Sequence, residues 1–189
     1  EHRGQVLESL TTHLQSLDVH FDTGILATPL LLDVLTQEGR EDLAFMLMNQ
    51  RDFPSFGDYI INKGATALWE YFDGSQSHSH PMYGSVCRWF YKALAGINPD
   101  GKSPGMQDII LKPVMCGDLD FVKADYTSFY GDIKSEWKIE GNNLEMILSI
   151  PANTSATVFV PALKKEWVTE SGEKPEDQAG IKFLRMEKS

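Results

Sequence analysis

The chain of 189 residues is 42% hydrophobic and 23% charged, which is typical of a folded globular protein and excludes a disordered one. Its 27 acidic residues outnumber 17 basic ones, and the net charge of −10 disfavours nucleic acid and anionic membrane surfaces as partners. No apolar run approaches the length of a membrane span, so we expect no membrane partner. The start, EHRGQVLESL, has neither an initiator Met nor the layout of a signal peptide, so we expect a piece of a larger protein.

The first half of the sequence has the apolar spacing of amphipathic helices. Two stripes recur at helical spacing: Leu7, Leu10, Leu14 and Leu17, then Leu30, Leu31, Val34 and Leu35. The Thr28-Pro29 pair marks the start of the second of these helices, and Gly39 follows its end. Further helices are predicted around residues 43–47, over residues 65–72 and over residues 82–97.

The apolar period changes to two in the second half, which predicts β-strands. Alternation over residues 133–140 and 144–150, on either side of Gly141-Asn142, predicts an antiparallel hairpin with one solvated face. Further strands are predicted over residues 109–111, 121–126 and 156–160, and the charged stretch 164–178 is predicted to be a loop. The predicted organisation is therefore helical over residues 1–97, a linker over 98–105 and an antiparallel β-sandwich over 106–189.

Five helices are predicted, three of them with very apolar faces, and such helices bury those faces poorly on their own. Consecutive helices joined by short loops suit a ring in which inner and outer helices alternate. On this interpretation another part of the ring lies upstream of the chain.

The two cysteines, Cys87 and Cys116, have no CxxC or zinc-ribbon spacing. We interpret them as buried free thiols rather than as a disulfide, because free cysteine is commonly buried. They do not decide the compartment of the protein.

The segment GATALWEYFDGSQSHSHPMYGSV, residues 64–86, carries the candidate chemistry. Glu70 follows Trp69, and an apolar neighbour can raise the pKa of a carboxyl group towards that of a general base. An imidazole nearby, His78 or His80, could hold the same water or a substrate hydroxyl. The nearby aromatic residues suit stacking on a sugar ring: Tyr59, Trp69, Tyr71, Phe72 and Tyr83.

Plainer interpretations of the same residues stay open. Glu70 could be a solvated helix residue, and His78-Ser79-His80 could be an ordinary polar loop. Zinc also binds imidazole and carboxylate, but no third ligand stands at a recognised spacing, and we expect no metal. The GxGxxG motif and the GxSxG elbow are absent from the sequence. The Asn153-Thr-Ser sequon is interpreted as the lead into a strand.

In combination, four motifs resemble the catalytic domain of bacterial α-L-rhamnosidases, glycoside hydrolase family 78. They are TG-x-x-x-TP from Thr23, GAT-x-x-WE from Gly64, a loop that ends in a histidine before GSV, and LAGI from Leu94. The following residues, to about 161, are similar to the small β-domain of the same family. The resemblance implies a fold of α followed by β: the C-terminal half of an (α/α)6 barrel, then an antiparallel β-sandwich.

The resemblance also implies a function, which is the inverting hydrolysis of terminal α-L-rhamnosides without a metal or other cofactor. It places the general base at Glu70 and a sugar-binding histidine at His80, and it assigns no role to His78. The family's general acid lies upstream, so the isolated chain is expected to be inactive and its partners are a rhamnose-containing glycan and the missing N-terminal half. Phe56 stands where relatives often carry tryptophan. The alternatives are a barrel glycosidase for another sugar and a non-catalytic carbohydrate-binding module.

Overall fold

The computed structural model of the chain describes residues 2–187. Up to Thr157 the described residues form one compact unit, and those from Val158 form a second, smaller one. The predicted order of helices followed by antiparallel strands is confirmed. Within the described residues no helix is long and apolar enough to cross a membrane.

Three α-helices open the chain, and a last helical run closes its helical part. The α-helices are α1 (Arg3–Ser16), α2 (Thr28–Gln37) and α3 (Glu41–Asn49). A π-helical segment, Asp58–Asn62, follows them. The last run changes type along its length: a 3₁₀ turn (Pro81–Val86), one α-helical turn that we call α4 (Cys87–Trp89) and a second π-helical segment (Phe90–Leu94).

The α2 helix buries a different stripe from the one predicted. Leu31, Leu32 and Leu35 are buried, whereas Leu30 is 60% and Val34 is 42% exposed. Together with buried Thr28 the buried positions follow the i, i+3, i+4, i+7 pattern of one helical face. The predicted stripe was wrong at Leu30 and Val34 because an unbroken leucine run is compatible with either face.

The helix predicted over residues 65–72 is absent. Gly64 has a φ of +68°, which ends the preceding helical segment, and residues 65–72 are irregular. The Glu70 amide donates to the Ser77 carbonyl at 2.9 Å, and the Leu68 carbonyl accepts from the His80 amide at 2.8 Å. These backbone groups pair with a segment further along the chain, so they are not available for helical hydrogen bonds.

The helical part ends at Gly96, where the chain turns into the first strand. Gly96 has a φ of +72°, and a Cβ there would lie 2.1 Å from the Pro113 nitrogen, so only glycine fits. β1 (Ile97–Pro99) follows at once and pairs with β2 (Asp108–Leu111) in antiparallel register. The predicted helix end at residue 97 and the predicted linker start at residue 98 therefore fall inside a strand. The division into domains at these positions stays a prediction.

Two three-stranded sheets make up the β part. One has the order β1-β2-β6, with β6 at Ser155–Val158. The other has the order β3-β4-β5 and is antiparallel: β3 Phe121–Ser128, β4 Gly131–Glu140 and β5 Asn143–Ser149. The hairpin between β4 and β5 is confirmed, with Gly141 at a φ of +60° in the turn, as short hairpin loops require. Residues 164–178 contain two short 3₁₀ turns, Lys165–Trp167 and Pro175–Asp177, and an isolated antiparallel bridge between Glu170 and Glu173.

Side chains from both sheets meet in one apolar cluster. Ile97, Ile109, Leu111 and Ile133 are its buried members in the strands, and Ala95 joins them from the end of the helical part. Two buried side chains of β4 also contact that end: Trp137 Nε1 donates to the Leu94 carbonyl at 2.8 Å, and Ser135 Oγ to the Ala95 carbonyl at 2.6 Å. These bonds satisfy carbonyls that a helix end leaves unpaired, and they join the helical part to β4.

Candidate active site

The two predicted site residues lie on facing backbone segments. The Glu70 amide and the His80 amide each bond across the pair formed by residues 68–70 and 77–80, at 2.9 and 2.8 Å. The structure thus brings the two backbone positions together without a regular helix or strand. Whether their side chains converge on one cavity stays a prediction.

The connection between these segments is a short loop with its own hydrogen bonds. The Gly74 amide donates to the Tyr71 carbonyl at 3.1 Å, and the Ser75 amide donates to Asp73 Oδ1 at 2.9 Å. The hydrogen bonds from Ser75 lower the pKa of the Asp73 carboxyl group. The Gly/Ser-rich loop is therefore a folded turn.

The side chains of Glu70 and His80 have unmet bonding capacity. Both residues are half-buried. The Glu70 carboxylate has no hydrogen bond or ion pair with any residue between positions 2 and 187. His80 Nδ1 is buried and has no hydrogen-bond partner in that same described range. Buried polar atoms are nearly always paired in native proteins, so His80 Nδ1 is free to bond a water molecule or a ligand.

Most of the aromatic residues predicted to bind sugar are in the core. Tyr59, Trp69, Phe72 and Tyr83 are all buried, and only Tyr71, at 53%, is exposed. The stacking prediction was wrong for the four buried rings, because they pack against one another and are not accessible. The contacts are Tyr59 with Trp69 at 5.1 Å, Phe72 with Tyr83 at 4.9 Å, and Phe21 and Phe56 with Phe72 at 5.6 and 5.3 Å between ring centroids.

The aromatic core packs against the site loop through Trp69. Its two tyrosine phenols do not act as acids or bases near neutral pH. Burial raises the pKa of the Tyr59 phenol to about 12 and outweighs a contact from the Trp69 backbone. Burial also raises the pKa of Tyr83. Phe56, where relatives often carry tryptophan, is buried and contacts the rings of Phe21, Phe72 and Tyr83 edge-on.

The two histidines of the loop have different surroundings. His78 stacks on Trp69 at 4.1 Å and 12°, and its Nε2 is 2.9 Å from the Gly74 carbonyl, so it does not pair with His80. In the described part of the chain, no three His, Cys, Asp or Glu side chains form a group that could hold a metal ion.

An ion pair between the buried Asp58 and the partly exposed Lys63 was not predicted from the sequence. Asp58 is buried, and its Oδ2 lies 2.9 Å from Lys63 Nζ, an ion pair without the alignment of a hydrogen bond. Lys63 lowers the pKa of the Asp58 carboxyl group, and Asn62 Nδ2 donates to its Oδ1 at 3.1 Å. Lys63 also donates to the Phe72 carbonyl at 3.2 Å. The close spacing of Asp58, Asn62 and Lys63 in the sequence was the available signal.

The cysteines are both free, but they differ in exposure. Cys116 is buried, as expected, and burial raises the pKa of its thiol to about 11. Cys87 is exposed, so the expectation of a second buried thiol was wrong. It occupies the outward side of a helix whose next buried residue is Trp89.

Two family models match the chain in succession. The bacterial alpha-L-rhamnosidase 6 hairpin glycosidase domain matches residues 1–94, and the bacterial alpha-L-rhamnosidase C-terminal domain matches residues 96–174. An alpha-L-rhamnosidase of Streptomyces avermitilis is 36% identical over 171 residues, which are 85% of this chain and 16% of that protein. One of Alteromonas sp. (strain LOR) is 35% identical over 164 residues, 81% of this chain and 18% of its own length.

Solved structures of alpha-L-rhamnosidases are similar to the structure of this chain. The alpha-L-rhamnosidase from Dictyoglumus thermophilum matches with a TM-score of 0.83 and 36% identity, over 92% of this chain and 20% of that one. The Streptomyces avermitilis alpha-L-rhamnosidase complexed with L-rhamnose matches with a TM-score of 0.79 and 35% identity, over 84% of this chain and 16% of that one. The chain spans about a fifth or less of the length of these relatives.

Proposed function

We propose that this chain, which belongs to the bacterial α-L-rhamnosidase family, supplies the general base of a glycoside hydrolase that acts on terminal α-L-rhamnosides with inversion. Glu70 is the base and His80 binds the sugar. The observation that carries the proposal is the pairing of the two segments that bear them. One presents an unpaired carboxylate and the other a buried imidazole nitrogen without a partner.

The proposed reaction uses Glu70 to activate water. Glu70 takes a proton from a water molecule as that water attacks the anomeric carbon, and the bond from this carbon to the leaving oxygen breaks. A carboxylic acid on the opposite side of the sugar protonates the leaving oxygen. In inverting enzymes the two carboxyl groups are about 6.5–9.5 Å apart, which leaves room for the water. His80 holds a sugar hydroxyl or the water in line, and the step needs no metal.

We place the acid in a part of the protein outside these 189 residues. Residues 1–97 would then complete the six-hairpin barrel, and residues 106–189 would form the β-domain that follows it. The exposed apolar side of α2 supports this arrangement, since Leu30 and Val34 lie on a helix with one charged residue, Asp33. The partner of that side would be the remaining helices of the same domain.

The test of the base is a substitution in the longer protein that contains this chain. Glu70→Gln keeps the shape of the side chain but removes its basicity, so we expect kcat on an aryl α-L-rhamnoside to fall about 10²–10⁴-fold. Rhamnose binding, measured by calorimetry, should persist because an amide still forms hydrogen bonds. Glu145→Gln is the matched control, because Glu145 is exposed on β5. A Glu70→Gln enzyme with the kcat of the wild type would contradict the proposal.

A second arm tests the position of the acid. The isolated 189-residue chain, assayed beside the longer protein on the same aryl rhamnoside, should release no measurable product. Hydrolysis by the isolated chain would mean that the acid lies within it, and the division of roles proposed above would be wrong.

A further inference from the structure

The outer face of Trp69 is covered by a histidine to which the family resemblance assigns no role. The imidazole of His78 lies parallel to the indole of Trp69, with 4.1 Å between centroids and 12° between planes. Tyr59 stacks on Trp69 as well, at 5.1 Å and 21°, and is fully buried. Tyr59 connects this stack to the aromatic core, and His78 carries it out to the exposed loop.

A hydrogen bond and a glycine hold His78 in this position. His78 Nε2 lies 2.9 Å from the Gly74 carbonyl, so a proton on Nε2 makes it the donor. Gly74 has a φ of +77°, and a Cβ at that position would lie 2.7 Å from Trp69 Cζ3 and 3.2 Å from His78 Nε2. The loop backbone can pass the edge of the indole only without a side chain at residue 74.

The stack connects the two segments that carry the proposed site. Glu70 directly follows Trp69, and His80 comes two residues after His78. The Glu70 amide bonds to the Ser77 carbonyl, and the His80 amide bonds to the Leu68 carbonyl. A displacement of His78 would therefore change how the base lies relative to His80.

We propose that His78 is a positioning residue, which fixes the Glu70 segment against the His80 segment by stacking on Trp69 and bonding to Gly74. The inference rests on the proposed function, since it deepens the account of that same site. Misplacing a catalytic group by about 1 Å can cost on the order of 10²-fold in rate. His78 touches neither substrate nor the reacting atoms in this account, so its effect is on kcat through the placement of Glu70.

The kinetic experiment compares variants of the longer protein on the aryl rhamnoside. His78→Ala removes both the ring and the hydrogen bond, and we expect kcat to fall about 10–100-fold with KM changed less than about 3-fold. His78→Phe keeps a flat ring over Trp69 and should recover part of that loss. Ser79→Ala is the matched control, because the Ser79 side chain lies in the same loop and is exposed, and among the described residues only the Ser79 backbone forms hydrogen bonds; kcat should stay within about 2-fold of the wild type.

A second readout does not depend on activity. Hydrogen exchange of the Glu70 amide should become faster in His78→Ala and stay near the wild-type rate in Ser79→Ala, since the amide is held against the Ser77 carbonyl. Wild-type kcat in His78→Ala would overturn the proposal, and so would a loss of kcat with unchanged exchange at Glu70. A His78→Phe variant as slow as His78→Ala would also overturn it. The assignment of Glu70 as the base is tested separately: a Glu70→Gln enzyme with full activity would contradict that assignment.

Discussion

Helix α2 and strand β4 use their apolar residues in opposite ways. In β4, Ile133, Ser135 and Trp137 are buried, and the residues between them form ion pairs with β3 on the other face: Lys134 with Asp125 and Glu136 with Lys123. In α2, leucines are buried on one side, but Leu30 and Val34 are exposed on another. The strand has one apolar and one charged face, whereas the helix is apolar on more than one side.

This difference indicates which of the two elements has its apolar surface covered by residues of this chain. A helix that is apolar on several sides is normally covered on several sides, so α2 has the sequence of a buried helix with part of its cover missing. Ile60 and Ile61, in the helical segment Asp58–Asn62 that follows α3, are also exposed apolar residues. The charged face of β4 needs no such cover. The proposal that the remaining barrel helices lie outside the chain follows from this contrast.

The largest expected effect comes from truncating leucines on the two sides of α2. Leu35 is fully buried, so Leu35→Ala should lower the free energy of unfolding by about 2–5 kcal/mol in urea titrations of the isolated chain. Leu30→Ala, the matched control on the exposed side, should change it by less than about 0.5 kcal/mol there. In the longer protein Leu30→Ala should cost about 1.5–3 kcal/mol, because the remaining helices would bury that leucine.

The comparison fails if Leu30→Ala is equally mild in both proteins. That result would mean that nothing in the longer protein covers the exposed side of α2.

The next largest effect concerns the join between the helical part and β4. Trp137→Phe removes the indole donor and leaves the buried Leu94 carbonyl unpaired, which should lower the free energy of unfolding by about 1–3 kcal/mol. Trp167→Phe is the control, because Trp167 is exposed and lies outside the helical part. Equal stabilities of the two variants would show that the indole hydrogen bond does not stabilise the join.

A smaller effect is a pH dependence confined to the helical part. Burial, the largest influence on His20, lowers its pKa, but hydrogen bonds to Asp52 and to the carbonyls of Leu17 and Asp18 together outweigh it, so the pKa is raised. A raised pKa means that the protonated form is bound more tightly in the folded state. This stability is fully present below the unfolded value of 6.5 and is lost as pH rises through the higher folded pKa.

The measurement is the free energy of unfolding of the chain at pH 6 and at pH 8.5. It should fall over this interval in the wild type and fall less in His20→Gln, which cannot take up the proton. The five histidines all lie in residues 2–80, so exchange of the β4 and β5 amides should show no matching change. A His20→Gln chain with the same pH dependence as the wild type would exclude this pair as its source.

The β-strands were more predictable from the sequence than the helical part. The β4–β5 hairpin follows from local information, since a period of two on both sides of Gly141 fixes both the strands and the turn. Residues 65–72 have a helical apolar pattern, but their backbone forms hydrogen bonds with residues 77–80. The local apolar pattern cannot predict that contact. The leucine run of α2 likewise allowed two faces, and only packing selected one of them.

The candidate site was predictable in part. The family motifs predict Glu70 and His80 as site residues, which stays a prediction, and the structure brings their backbone segments together. The prediction that Trp69 and Phe72 stack on a sugar was wrong. An aromatic residue beside an acid can either bind sugar or pack in a core, and both rings are buried in the core. The positions of His78 and Gly74 against Trp69 depend on the loop conformation, which composition alone does not fix.

The most direct test of the account is amide hydrogen exchange of the isolated chain and of the longer protein, resolved by segment and measured side by side. We predict that α2 and Asp58–Asn62 exchange faster in the isolated chain, because their apolar sides lose the cover of the remaining helices. The hydrogen-bonded amides of β4 and β5 should exchange at the same rate in both. Equal protection of α2 in the two proteins, or a loss of protection in β4 and β5 instead, would contradict the claim that the helical part is completed from outside the chain.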